Sequence, residues 1–204
     1  MNDHSGFGLL DKEFDSFHIT FVRNVQEQDL LCRFGGDPAL AWPLPLGNYD
    51  ALDDLLYEID DDVLNAAFFR EGEDLINAIV QIGTSAGWAF AIEAYGPWSP
   101  TQHLLAVISS GTTAVSVERI GSKWLRLIDW AEDGVCKGGG EASGPFMPQL
   151  QALIEQAGVD EESDLGESLF APVLSSAWGI SFSRQFLEKP LLTGPFLFPP
   201  TQKQ

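Results

Sequence analysis

Between Thr113 and Cys136 the chain is written to reverse direction twice. Thr113 to Ile120 and Lys123 to Trp130 are alternating, β-prone segments separated only by Gly121-Ser122, and Asp133-Gly134 follows before Val135 and Cys136. A two-residue link containing glycine suits an antiparallel hairpin, whereas a parallel return needs a crossover of a dozen or more residues. The chain is therefore expected to build an antiparallel meander here, and the rest of the fold has to accommodate it.

The other segments fit that start. Phe17 to Val22 alternates as a half-buried strand should, and Asn24, with Glu27 three residues on, can cap a short helix that buries Leu30, Leu31 and Phe34 and stops at Gly35-Gly36. Asp37 to Asn48, broken by Pro38, Pro43 and Pro45, predicts a loop. Leu52, Leu55, Leu56, Ile59 and Val63 keep helical spacing opposite a set of acids, which predicts an amphipathic acidic helix. Leu75 to Ile82 and Trp88 to Ile92 predict strands. In the second, Ala89 and Ala91 form a small-residue face that a helix can approach closely, and the helix that follows, capped by Ser99 with Pro100 and Gln102 and ended by Gly111, is the candidate. Gly138 to Gly140 predicts a flexible loop. Two helices around Leu150 to Ala157 and Phe170 to Ala177 come next, and the Pro-interrupted tail from Phe182 to Phe198 is expected to pack irregularly.

No βαβ alternation is visible, so the expected fold class is α+β. It has a largely antiparallel sheet of about five strands, helices packed on it and a helical C-terminal part. Residues 1–15 are expected to be a flexible N-terminus, 16–198 a single domain and 199–204 a disordered tail.

Charge is the strongest compositional constraint. Thirty Asp and Glu against eleven Lys and Arg give −19 over 204 residues. Such a field repels nucleic acid and anionic membrane and attracts basic partners. No apolar run approaches the length of a membrane helix, and no basic segment precedes an apolar stretch at the N-terminus, so neither a membrane span nor a secretion signal is expected. Cys32 and Cys136 lie far apart and outside any metal-type spacing, which predicts buried reduced thiols in a cytoplasmic protein.

The segments Phe17-His18-Ile19-Thr20-Phe21-Val22-Arg23, Gly87-Trp88-Ala89-Phe90-Ala91-Ile92-Glu93 and Gly111-Thr112-Thr113-Ala114-Val115-Ser116-Val117 resemble an uncharacterised domain family of actinobacterial cytosolic proteins. Asp129 to Gly134 and Trp178-Gly179-Ile180 to Leu187 are similar too, so the resemblance runs from about Phe17 to Leu197. It implies shared fold boundaries and carries no activity or catalytic residue.

Few motifs point to chemistry. Gly83-Thr84-Ser85-Ala86-Gly87 matches the nucleophile elbow of serine hydrolases, but that motif needs a helix after the serine, and Trp88 to Ile92 predicts a strand. The plainer expectation is a hairpin turn. His4, His18 and His103 are the only histidines, none at metal-ligand spacing, and Asp60-Asp61-Asp62 lacks the pattern of a calcium loop, so no metal or cofactor is expected. Glu93 at a strand end, with Asp129 and Asp133 near a turn, offers carboxylates that could act as an acid pair. Gly138 to Gly144 has no GK[ST], and Glu141 would repel a phosphate.

Two functions compete on this sequence. The first is a non-enzymatic module that covers a basic protein, of the immunity or antitoxin kind. Ten acids stand against one base, Arg70, between Asp50 and Asp74, and a second block runs from Glu155 to Glu167. Its candidate contact residues are Asp50, Asp53, Asp54, Glu58, Asp60, Asp61 and Asp62, with Trp42 and Trp98 as aromatic anchors in Pro-rich loops. The second is a hydrolase or small-ligand sensor with a pocket near Ser85, Glu93 and His103, together with the Asp129 region.

Overall fold

The computed structural model describes residues 5–14, 16–48, 79–93, 102–120, 125–141, 148–159 and 170–195. The expected acidic helix from Leu52 to Val63, the Ser99–Pro100 cap, the Gly121-Ser122 turn and residues 199–204 lie outside them.

The strands among the described residues are β1 (Phe17–Arg23), β2 (Trp42–Leu44), β3 (Ile79–Ser85), β4 (Trp88–Glu93), β5 (Thr113–Ile120), β6 (Leu125–Glu132), β7 (Val135–Glu141) and β8 (Leu191–Pro195). They form one sheet in the order β2-β8-β3-β4-β1-β5-β6-β7, and every ladder is antiparallel. The fold class is therefore α+β, but with eight strands where about five were expected. Strands β2 and β8 come from segments whose Pro content argued against β structure, and β7 extends the short strand expected around Val135 and Cys136 through the Gly-rich run.

Each exception has a physical reason. Pro43 sits in β2, the last strand in the sheet order, where a proline's missing N–H need not break a ladder on both sides. Pro195 ends β8, and Pro190 precedes it, so the prolines bound that strand and do not interrupt it. Gly138 to Gly140 lies within β7 and is not a loop. A Cβ on Gly138 would overlap the Trp130 indole, and one on Gly139 would overlap the Asp129 carboxylate. The glycines are the positions over which the neighbouring strand lays its large side chains.

The helices are α1 (Gly6–Glu13), α2 (Glu27–Arg33), α3 (Gln102–Ile108), α4 (Pro148–Gln156), α5 (Phe170–Trp178) and α6 (Arg184–Leu187). Residues 6–13, expected within a flexible N-terminus, thus form α1, with Phe7 and Leu10 buried. The C-terminal part is mixed, because β8 returns to the sheet after α6. Asn24 does not cap α2. It takes a left-handed φ of 53°, its amide donates to the Gly87 carbonyl at 2.9 Å, and Gln26 occupies the cap position. The stop is as expected: Gly36 donates to Leu31 and Gly35 to Cys32, which closes α2 with Gly35 at φ 82°.

The sheet has two unlike faces. On one, Phe17, Ile19, Phe21, Trp88, Phe90, Val115, Val117 and Trp130 meet the apolar sides of α1, α4, α5 and α6. Phe7, Phe21 and Phe90 each hold their ring centroids within 5.3 Å of Phe182. On the other, Val22, Val80, Ile82, Ala89, Ala91, Ala114 and Ala131 pack with Leu30, Leu31 and Phe34 of α2 and with Leu104, Leu105 and Ile108 of α3. The small residues do admit helices closely. The helix on β3 and β4 is α2, however, while α3 lies over β5, β6 and β7.

Candidate functional site

The small-residue face changes character along its strands. In the ladders of β1, Val22 stands opposite Ala89 and Ala114, Thr20 opposite Ala91 and Ser116, and His18 opposite Glu93 and Glu118. Ser116 in turn pairs with Asp129, and Asp129 with Gly139. Residues paired across a ladder share a face, and so do residues two apart. One row is therefore Glu93–His18–Glu118. The next is Ala91–Thr20–Ser116–Asp129–Gly139, and only beyond it does the apolar contact with α2 and α3 begin.

This polar end is buried. His18 is 2% exposed, Glu93 3%, and Thr20, Ser116 and Glu118 are equally enclosed. His18 Nδ1 lies 2.8 Å from Glu93 Oε1. A carboxylate oxygen accepts, so Nδ1–H is the donor in this pair. Burial pushes the Asp129 carboxyl above its usual range; attraction to His18 opposes this and repulsion from Glu118 adds to it. The same burial, with Asp129 nearby, pushes the Cys136 thiol up. Two buried oxygens of this end, Thr20 Oγ1 and Glu93 Oε2, have no hydrogen-bond partner. Among the described residues no group of three His, Cys, Asp or Glu side chains is placed to hold a metal ion.

The structure sorts the candidates of the sequence differently from their motifs. Glu93 and Asp129 do share this face. Ser85 does not: it pairs with Trp88 and so belongs to the aromatic face, where its hydroxyl donates to the Ser181 carbonyl at 2.6 Å. The G-x-S-x-G run is the β3–β4 hairpin, with Ala86 at φ 48° and Gly87 at φ 85°, a turn of the type that links two antiparallel strands. Gly83 is needed for packing, since a Cβ there would press on Phe90 and Leu191.

Asp133 is held apart from the other two acids. At φ 46° in the β6–β7 turn, it accepts from the Gly111 amide at 3.0 Å, while the Gly134 amide donates to Ser109 Oγ at 3.1 Å. These bonds, with Arg33 reaching the Ile108 and Ser110 carbonyls, tie the end of α3 to the hairpin and to α2. His103 lies on α3, the helix that packs over β5, β6 and β7.

His18 is the residue that motif reading passed over. Its signal was a lone ionisable side chain on the polar side of an otherwise apolar strand, and its partner is 75 positions away. Of the partner-binding candidates, Trp42 is half-buried in β2, where a Pro-rich loop was expected. Asp50, Asp53, Asp54, Glu58, Asp60, Asp61, Asp62 and Trp98 lie outside the described residues. Cys32 is exposed, contrary to the expected burial, Cys136 is partly enclosed, and the two are not joined. No described helix is long and apolar enough to cross a membrane.

The architecture defines an α+β protein with one antiparallel sheet, helices on both faces and an ionisable row buried at one end. The chain belongs to a family of unknown function, DUF6461, whose sequence profile matches residues 9–168. The match begins before and ends before the stretch over which the resemblance runs. No curated protein and no solved structure matches the chain.

Proposed function

We propose that this protein is an acidic, non-enzymatic binding module that covers a basic protein partner in the cytoplasm of an actinobacterium, as an immunity or antitoxin-type inhibitor does. The observation that carries this reading is the net charge of −19, concentrated between Asp50 and Asp74 and between Glu155 and Glu167. Single-sign surfaces speed and orient association with oppositely charged partners and make it sensitive to salt. The internal use of Ser85 and Asp133 as structural hydrogen-bonding groups supports the same reading, since it takes two candidate chemical groups out of play.

The test is a tagged capture from lysate of the source cells at low salt, released by a salt gradient. One basic protein in stoichiometric amount is expected, and Asp53→Lys, Asp54→Lys, Asp60→Lys and Asp61→Lys together should abolish its retention. Retention unchanged by those four substitutions overturns the proposal, and so does an empty capture.

A further inference from the structure

We infer that the polar end of the small-residue face binds a small organic cation, one that presents an ammonium or guanidinium group to Glu93 and Thr20. This inference is independent of the acidic docking surface. Two facts carry it together: the concentration of Glu93, Glu118 and Asp129 around one histidine, and the presence among them of unpartnered polar atoms on nearly sealed side chains.

Thr20 has no exposed surface, and its hydroxyl makes no hydrogen bond. Glu93 spends one carboxylate oxygen on His18 and leaves the other without a donor. Buried polar atoms are almost always paired, and each exception calls for a ligand, a water or an explanation. A carboxylate oxygen accepts, so the demand at Glu93 Oε2 is for a donor, and the surrounding carboxylates favour donors that carry positive charge.

The sheet floor is also low here. Ala91, Ser116 and Gly139 flank Thr20 and Asp129 in one row and raise no bulky side chain beside them. An ammonium or guanidinium group supplies several N–H donors from a single small head, which suits two acceptors on adjacent rows.

The experiment uses the full chain with 15N-labelled histidine, titrated separately with ethylammonium, putrescine and agmatine in about 150 mM NaCl to suppress diffuse surface association. A saturable, one-to-one shift of the His18 ring signals is expected with at least one probe. Saturation by agmatine alone assigns the guanidinium group, and saturation by the alkylamines assigns ammonium. Glu93→Gln should weaken binding by about tenfold or more, and Thr20→Val by about threefold or more. Should Glu93→Gln fail to fold, Thr20→Val carries the test, since it keeps both shape and charge. No saturable shift with any of the three probes overturns the inference. A shift undiminished in the folded variants overturns it equally, because it would report adsorption elsewhere on an acidic surface.

Discussion

His18 and Glu93 face each other across the β1–β4 ladder with Nδ1 and Oε1 2.8 Å apart, both side chains almost wholly withdrawn from water. The pair lies at the polar end of a sheet face whose other end packs through apolar side chains of α2 and α3. Its environment makes it costly to halve.

Replacing Glu93 by Leu while His18 remains should cost about 3 kcal/mol, because the buried Nδ1 loses its hydrogen-bond partner. The double replacement His18→Leu with Glu93→Leu should cost much less than the sum of the two single changes. Urea unfolding of the four proteins in the cycle measures this directly. Simple additivity would mean that the two side chains do not interact energetically.

Asp129 gives the fold a pH dependence of known sign. Its carboxyl is raised from 3.8, chiefly by burial, so the folded chain holds that proton more tightly than the unfolded chain does. The stability from this group is therefore complete below its ordinary value and is lost as pH rises through the raised one. Asp129→Asn keeps the shape and removes the titration. The variant should gain on the parent protein as pH climbs through that window and should show no such gain below it. Urea midpoints taken between about pH 3 and pH 7 would reveal the crossover. A constant difference at every pH would contradict it.

Gly139→Ala should destabilise the protein by about 1–3 kcal/mol, since the new methyl would land on the Asp129 carboxylate. In an Asp129→Ala background the same substitution should cost far less. Thermal unfolding of both backgrounds tests whether the clash, rather than backbone freedom, is what requires glycine there.

Local pattern alone was enough for β1, for the buried side of α2 and for the β6–β7 turn at Asp133-Gly134. All of these depend on neighbours within a few positions. The misjudged elements depend on distant ones. Gly138 to Gly140 looks like a loop until Trp130 and Asp129 are known to lie over it. Leu191 to Pro195 looks irregular until β2 and β3 are found on either side. The site divides the same way. Glu93 at a strand end and Asp129 near a turn are legible as candidate acids, whereas His18 carries no motif. Joining them required a register that pairs residue 18 with residues 93 and 118, and no local spacing encodes that. Ser85 misled for the opposite reason, because a short motif matched where its strand-to-helix context did not.

The place of β8 bears on how the molecule is assembled during synthesis. Strand β2 pairs with β8, and β8 bridges β2 to β3, so a strand made early is joined to the sheet by the last of the described strands. On a ribosome, Trp42 to Leu44 would emerge early and wait through some 150 residues of translation before its ladder partner exists. Contacts so far apart in the chain slow folding and keep an edge open in the interval. Its proline gives the waiting segment some protection, since Pro43 cannot donate a hydrogen bond to a neighbouring nascent chain.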